Sequence, residues 1–172
     1  YYGSDSTIAP RDIAAEAQLW MEEIALEQAT TERPVSVIRA SNVQGVPISG
    51  PPGNGLLHKW ASEAPIGWVN VPGDGSDLKD FVHVQDLVEC IMRVMADPPP
   101  TRESIAIGSG KGIQLRDLAA IYNQMTGCEA EYGQNHDQEV FGIVDASEVE
   151  MRLGFRPTVS LEEMIRESFE VS

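Results

Sequence analysis

Apolar residues recur along this chain at two spacings, and the spacing changes wherever glycine, proline or a capping residue intervenes. Pro10 opens a helical stretch predicted to run to about Thr31, with Ile13, Ala17, Trp20 and Ile24 three and four positions apart. Pro34 then precedes Val35-Ser36-Val37-Ile38, a buried-strand pattern that ends in Arg39. Glycine and proline dominate from Gly45 to Gly55, which reads as an irregular crossing loop. Leu56 to Ala64 suits one or two helical turns, and Trp68-Val69-Asn70-Val71 is a short strand stopped by Pro72-Gly73.

The second half repeats the alternation. Gly73-Asp74-Gly75 turns into a short apolar strand around Phe81-Val82-His83. Asp86 and Glu89 stand at capping-box spacing for a helix carrying Leu87, Cys90, Ile91, Val94 and Met95 on one face, ended by Pro98-Pro99-Pro100. Ser104-Ile105-Ala106-Ile107 is another buried strand, running into Gly108-Ser109-Gly110. The next helix groups Leu115, Leu118, Ala119 and Tyr122 and stops at Gly127. Asp145 and Glu148 cap a short helix ended by Gly154; Ser160 and Glu163 cap the last, with Leu161, Met164, Ile165, Ser168 and Phe169 inward. Short strands alternating with capped helices mean an α/β fold. The apolar runs Val35–Arg39 and Ile105–Ile107 predict strands of one mostly parallel sheet buried on both faces. Helices starting near Asp12 and Asp86 are expected to cover it, with a smaller helical lobe after Gly112.

Composition narrows the function classes. At 172 residues and 42% hydrophobic content the chain suits one domain with a real core, or a large piece of a bigger one. Its first residue is Tyr1 and not Met, the expectation for a fragment, a processed chain or a single domain. No apolar run approaches the ~20 residues of a membrane span, and no basic-then-apolar start marks a secretory signal. A formal net charge of −15 argues against nucleic acid or an anionic membrane as partner, since both repel an acidic protein. Cys90 and Cys128 form no CxxC or ligand pattern and read as free thiols of a reducing, cytoplasmic compartment. Three scattered histidines offer no metal spacing.

Four runs, taken in order, resemble one family. They are Arg39-Ala40-Ser41-Asn42-Val43-Gln44-Gly45, then Lys79-Asp80-Phe81-Val82-His83-Val84-Gln85-Asp86-Leu87 after Gly73-Asp74-Gly75. Ile107-Gly108-Ser109-Gly110-Lys111-Gly112 with Leu115-Arg116-Asp117-Leu118 follows. Last come Asp145-Ala146-Ser147, Leu153-Gly154-Phe155-Arg156-Pro157 and Ser160-Leu161-Glu162-Glu163. Together they are similar to the "RxxNVYGP", "GDG…RDFVHVDD", "NIGSGKGxSLRELA" and "DxSKAxxxLGWxPxxSLEEG" runs of NAD-dependent epimerase/dehydratase proteins, the extended short-chain dehydrogenase/reductase family, in their carboxy-terminal half. The resemblance implies part of a Rossmann-like mostly parallel sheet with helices on its faces, plus a smaller carboxy-terminal helical substrate lobe. Residues 1–47 would be a remnant of the Rossmann-like core, and residues 48–172 the substrate-binding part with a returning core strand. It implies NAD or NADP as cofactor, a nucleotide-sugar-like substrate, and a homodimer or a missing amino-terminal half packed along the long helix. Leu19, Trp20, Ile24 and Leu26 spread apolar groups around more than one face of that helix, which fits such a contact. Ser41 and Asn42 fall at the family's cofactor contact, and Asn42 and Lys79 at its substrate contact.

The departures concern the chemistry. The family's Tyr-x-x-x-Lys pair, an acid/base tyrosine whose pKa the lysine lowers, falls on Ala14 and Gln18 in the natural register. A second register leaves Ile8 and Asp12, and none can restore the pair because no lysine precedes Lys59. Tyr1 and Tyr2 align with a "YG" after an earlier strand. The arginine that holds the substrate diphosphate falls near Asn135, Lys79 replaces a forked guanidinium by a point charge, and Ala106 stands where asparagine is common. No glycine-rich dinucleotide fingerprint is present. The chain alone is therefore expected to have no catalytic residues and to bind nicotinamide cofactor poorly.

Three local readings stay two-sided. Gly108-Ser109-Gly110-Lys111-Gly112 follows a strand as a phosphate loop does, but lacks GxxxxGK[ST] and GxGxxG spacing and reads better as a turn. His83 and Asp86 form a base–carboxylate pair on paper, against a helix cap and a packed strand residue. Asn42 either contacts a ligand or satisfies a strand end. For the whole chain, the carboxy-terminal portion of a sugar-nucleotide epimerase/dehydratase-like oxidoreductase stands first. A thioester-reductase-like domain of a biosynthetic assembly line and a non-catalytic binding relative are the alternatives.

Overall fold

The computed structural model describes residues 3, 10, 12–46, 55–133 and 142–170. Its elements run α1 (Ile13–Glu27), β1 (Val35–Ala40), β2 (Asn42–Gln44), α2 (Leu56–Glu63), a 3-10 turn (Ala64–Ile66), β3 (Trp68–Val71), β4 (Leu78–His83) and α3 (Val84–Ala96). Then follow β5 (Arg102–Ile107), β6 (Gly112–Gln114), α4 (Leu115–Thr126), β7 (Glu129–Tyr132), α5 (Ala146–Leu153) and α6 (Leu161–Glu170).

The chain is α/β, and its sheets are mostly parallel. β1 lies parallel to β5, Val35 opposite Arg102 through Ala40 opposite Ile107, so the two predicted strands do share a sheet. β2 lies parallel to β4, and β3 parallel to β7; β6 runs antiparallel to β4. The strands β2, β6 and β7 escaped periodicity because three or four residues are too few to show a period. β7 also carries Glu129 and Glu131 on an open surface.

Two apolar clusters organise these elements. The first joins Leu57 and Trp60 of α2, Val69 and Val71 of β3, Phe81 of β4, four residues of α4 and Met164 and Ile165 of α6. Every residue expected on the inner face of α4 is buried. The second joins Val82, Cys90, Val94, Ile105, Ile107 and Val149, with Ile38 and Ala40 of β1 packed against it. The lobe expected after Gly112 thus also recruits α2 and β3 from before it. Conversely α5 returns to the β1–β5 pair, where Arg152 bonds Glu103 of β5 at 2.8 Å and Asp97 at 2.8 Å. Cys90 and Cys128 are free and buried; burial, with Glu103 nearby, pushes the Cys90 thiol up to about 11. Among the described residues no helix is long and apolar enough to cross a membrane.

Three helix boundaries or faces differ from the sequence expectation. α1 ends at Glu27, not near Thr31, because Thr30 N–H already turns to the Arg33 carbonyl at 3.0 Å. α3 is capped by His83, whose ring accepts from Gln85 N–H at 3.2 Å, and not by Asp86. On α3 the buried face is Cys90 and Val94, whereas Ile91 and Met95 point outward with Val88 and Met92.

Candidate functional site

Ligands of open parallel sheets bind at the carboxyl ends of the strands, and here the carboxyl ends of β1 and β5 meet the start of β2 and the first half of β4 in one polar cluster. β1 delivers Ser41, whose N–H donates to Ile107 O at 2.9 Å; its hydroxyl oxygen is buried with no hydrogen-bond partner. Asn42 opens β2, and its amide donates to the Asp80 carbonyl at 2.8 Å. That bond ties the first residue of β2 to β4. Lys79 lies next to Asp80 on β4, half-buried, opposite Ile113 of β6. The geometry thus brings Asn42 and the Lys79–Asp80 backbone together, with Ser41 one residue before Asn42.

Asp80 is fully buried in the middle of this cluster. Its carboxylate accepts from Ser109 N–H at 2.9 Å, Ser109 hydroxyl at 2.6 Å, Gly110 N–H at 3.2 Å and Val144 N–H at 3.1 Å. The amides of Ser109 and Gly110 are the ones a phosphate loop would offer to its ligand. They are already bound to an internal anion, so the loop after β5 is a clamped turn. A Cβ at Gly108 would come within 2.7 Å of Asp80 Oδ2, which is why that position has no side chain. The residues present therefore do not fit a dinucleotide pyrophosphate at this loop. Sequence reasoning gave Asp80 no role, since it follows Lys79 in β4 and its partners lie 29 to 64 positions away; buried, its carboxylate must be hydrogen-bonded.

The resemblance sets two α1 residues against the family's acid/base pair. Ala14 and Gln18 are both exposed. In the other register Asp12 caps α1, accepting from Ala15 N–H at 2.7 Å, while Ile8, Tyr1, Tyr2 and Asn135 lie outside the described residues. Arg39 is tied to Glu22 of α1 through its Nε, 3.1 Å from each carboxylate oxygen.

His83 and Asp86 do not face each other. Asp86 accepts from Thr158 N–H at 3.0 Å and Val159 N–H at 3.1 Å, fastening α3 to the segment before α6. His83 is buried, and its Nδ1 accepts from Gln85 N–H, so Nε2 carries the proton that it donates to Glu167 of α6 at 2.8 Å. Its neighbour across the β2–β4 pair is Gln44, buried, with its Oε1 unpartnered and Gly55 packed against the amide. Glu167 was invisible to sequence reasoning because it lies 84 positions from His83 and reads as one of several surface acids on α6. Among the described residues no group of three or more His, Cys, Asp or Glu side chains could hold a metal ion.

Comparison with known proteins accounts for this architecture. GDP-L-fucose synthase 1 of Arabidopsis thaliana is 30% identical over 105 residues, 59% of this chain and 32% of the relative. The dTDP-L-rhamnose 4-epimerase of Burkholderia thailandensis is 29% identical over 150 residues, 80% of this chain and 39% of the relative. The dTDP-glucose 4,6-dehydratase of Bacillus anthracis, solved with NAD, superposes with a TM-score of 0.83 at 20% identity, covering 98% of this chain and 54% of that one. MoeE5, solved with UDP-glucuronic acid and NAD, superposes with a TM-score of 0.82 at 22% identity, covering 96% of this chain and 57% of that one. The chain spans about a third of the length of these curated relatives and just over half of the solved ones. The solved relatives show the Rossmann-like fold. Residues 3–108 match the NAD dependent epimerase/dehydratase family, and the chain belongs to it.

Proposed function

We propose that residues 1–172 are the carboxy-terminal, substrate-side portion of a cytoplasmic NAD(P)-dependent sugar-nucleotide epimerase/dehydratase-like protein, inactive in hydride transfer on their own. In this reading Asn42 and Lys79 contact a nucleotide-sugar-like substrate, and Ser41 and Asn42 meet the nicotinamide side of the cofactor. The orphaned Ser41 hydroxyl at the carboxyl end of β1 is the observation that carries it: a buried hydroxyl without a partner is unfavourable unless something supplies one. Relatives solved with NAD and with UDP sugars support the ligand classes. Redox inactivity rests on Ala14 and Gln18 in place of the tyrosine–lysine pair and on Asp80 occupying the Ser109 and Gly110 amides of the loop after β5. Losing a general acid/base alone typically costs ~10²–10⁴-fold in rate.

Assembly follows the same logic. α1 buries none of its residues and leaves Trp20 61% exposed, so a second copy or the missing amino-terminal portion is expected along it. Calorimetric titration of the chain with NAD, NADP and UDP-glucose tests the reading. Weak or absent dinucleotide binding together with measurable UDP-glucose binding, lost in Lys79→Ala, is the expected result. A micromolar dissociation constant for NAD or NADP would overturn the claim that the piece is cofactor-incompetent. A non-catalytic relative that binds a partner or another small ligand through the inherited cleft would bind neither, and the missing acid/base pair is the feature that favours that second reading.

A further inference from the structure

Asp80 touches no ligand in the reading above, yet its carboxylate is fully buried in the middle of the cluster that holds Asn42 and Lys79. A buried carboxylate is costly unless its oxygens are hydrogen-bonded, and here both are. Ser109 N–H and hydroxyl donate to one oxygen at 2.9 and 2.6 Å, Gly110 N–H and Val144 N–H to the other at 3.2 and 3.1 Å. Gly110 has a φ of +72°, the left-handed conformation that turns consecutive N–H groups toward one anion. The side chain is therefore held as a bound oxyanion would be, from four directions.

Its place along β4 gives that grip a consequence. β4 pairs with β6 over Leu78–Asp80 and with β2 over Phe81–His83, so Asp80 stands where the strand changes partner. Gly112, which opposes it, is the first residue of β6, and Asn42, which opposes the next residue, is the first of β2. Both ladders thus end at this point, and the carboxylate clamp supplies the restraint that continued pairing would. Successive side chains of a strand leave on opposite faces, so anchoring Asp80 on one face sets the roll of β4 and the direction in which Lys79 leaves on the other. The main-chain oxygen of the same Asp80 accepts the Asn42 side-chain amide at 2.8 Å. One clamped residue is joined to both groups read as substrate contacts.

We propose that Asp80 is a positioning residue: gripped by Ser109, Gly110 and Val144, it fixes the β4 backbone at the change of partner, and through it the Asn42 amide and Lys79. This deepens the reading in which Asn42 and Lys79 meet a nucleotide-sugar-like ligand and rests on that reading for its affinity readout. Its structural readout is independent of any ligand.

The structural readout is the pair of NMR signals from the Asn42 side-chain NH₂ in the labelled full chain, which report the bond to the Asp80 carbonyl. Asp80→Ala should displace that pair by more than a linewidth, and Asp80→Asn, which keeps one acceptor oxygen, by less. Ser109→Ala keeps the carboxylate and removes the hydroxyl bond; it should displace the pair in the same direction and asks the question should the Asp80 variants not fold. Leu118→Ala empties a fully buried site on α4, so it destabilises the chain by lost packing and should leave the Asn42 pair in place. Calorimetric titration with UDP-glucose should show roughly tenfold weaker binding in Asp80→Ala and a change of no more than about twofold in Leu118→Ala. An Asn42 pair unmoved in folded Asp80→Ala, or in Ser109→Ala where the Asp80 variants do not fold, overturns the proposal. An equal displacement in Leu118→Ala overturns it too, as does UDP-glucose binding that survives Asp80→Ala but is lost in Lys79→Ala. UDP-glucose binding that is absent from the wild type, or unaffected by Lys79→Ala, overturns the reading of the site instead, and the Asn42 pair then decides the positioning role alone.

Discussion

Trp60 and Trp20 both sit in helices with apolar residues at three- and four-residue spacing, and the fold treats them oppositely. Trp60 has no exposed surface: its indole N–H donates to Asn70 O at 2.8 Å, and its ring meets Tyr122 edge-on at 5.2 Å. Trp20 is 61% exposed on α1. The first belongs to a cluster closed by elements that all lie within the chain: α2, β3, β4, α4 and α6. The second lies on α1, which packs against β1 and buries none of its own residues. An amphipathic pattern tells which side chains avoid water, but not whether the covering surface is in the same 172 residues.

The largest expected effect tests that contrast directly. Trp60→Ala should lower the unfolding free energy in urea by about 4 kcal/mol, the scale for emptying a buried aromatic site. Trp20→Ala should change it by no more than about 0.5 kcal/mol, as for exposed positions. Comparable losses at both sites would mean that α1 is covered in solution by something the chain itself supplies, and the contrast between the two regions would fall.

Next in size is the seam between the regions. Asp80 leaves from β4, whose Phe81 packs in the first cluster, and grips Ser109, Gly110 and Val144 behind the second. Asp80→Ala strands the buried Val144 N–H and the half-buried N–H groups of Ser109 and Gly110, so it should cost about 3 kcal/mol in denaturant midpoint analysis. Asp80→Asn keeps one acceptor oxygen but turns an amide NH₂ toward donors, and should fall between the two. If Asp80→Ala is silent, water replaces the carboxylate and the loop after β5 is free to bind an anion after all.

Much of this division was legible beforehand. The parallel partners Val35–Arg39 and Ile105–Ile107 announced themselves as short apolar-rich runs, although β1 is half-buried throughout and not buried on both faces as expected. Leu115, Leu118, Ala119 and Tyr122 showed as one helical face because burial on one side leaves a periodic trace. Asp145, Ser160, Gly127 and Gly154 marked helix ends through local hydrogen bonding and positive φ, which need no tertiary context. What stayed hidden was long-range. Asp86 has the spacing of a cap, yet its carboxylate is taken by Thr158 and Val159 more than 70 positions away. Glu167 as the partner of His83 and Asp80 as the anchor of the Gly108 loop are likewise contacts between segments that no local spacing encodes. For the candidate site, the motifs named Ser41, Asn42 and Lys79, but only the coordinates distinguish Asn42, already bonded to Asp80 O, from Ser41, whose hydroxyl is orphaned.

The smallest effect should run against the usual direction. Tyr122 is the centre of the closed lobe, between Trp60 and Phe169 at 5.2 and 5.0 Å, and its hydroxyl is buried with no partner. A buried hydroxyl without a hydrogen bond has lost its water and gained nothing, so deleting it while keeping the ring removes a penalty. Tyr122→Phe should therefore be neutral or stabilising by up to about 1 kcal/mol at neutral pH, where most core substitutions destabilise. The pH dependence fixes the sign independently. Burial, with Cys128 and Glu63 nearby, pushes the Tyr122 phenol above its ordinary 10.0, so the folded state favours the neutral form. That contribution is present in full below the unfolded value and is lost as pH rises above it, when the unfolded chain ionises and the folded one does not. Denaturation curves from pH 8 upward should show wild type losing stability above about pH 10 by more than Tyr122→Phe does. A Phe variant that is less stable at pH 7 would mean the hydroxyl has a partner, and that the closed lobe is wetter at its centre than its packing implies.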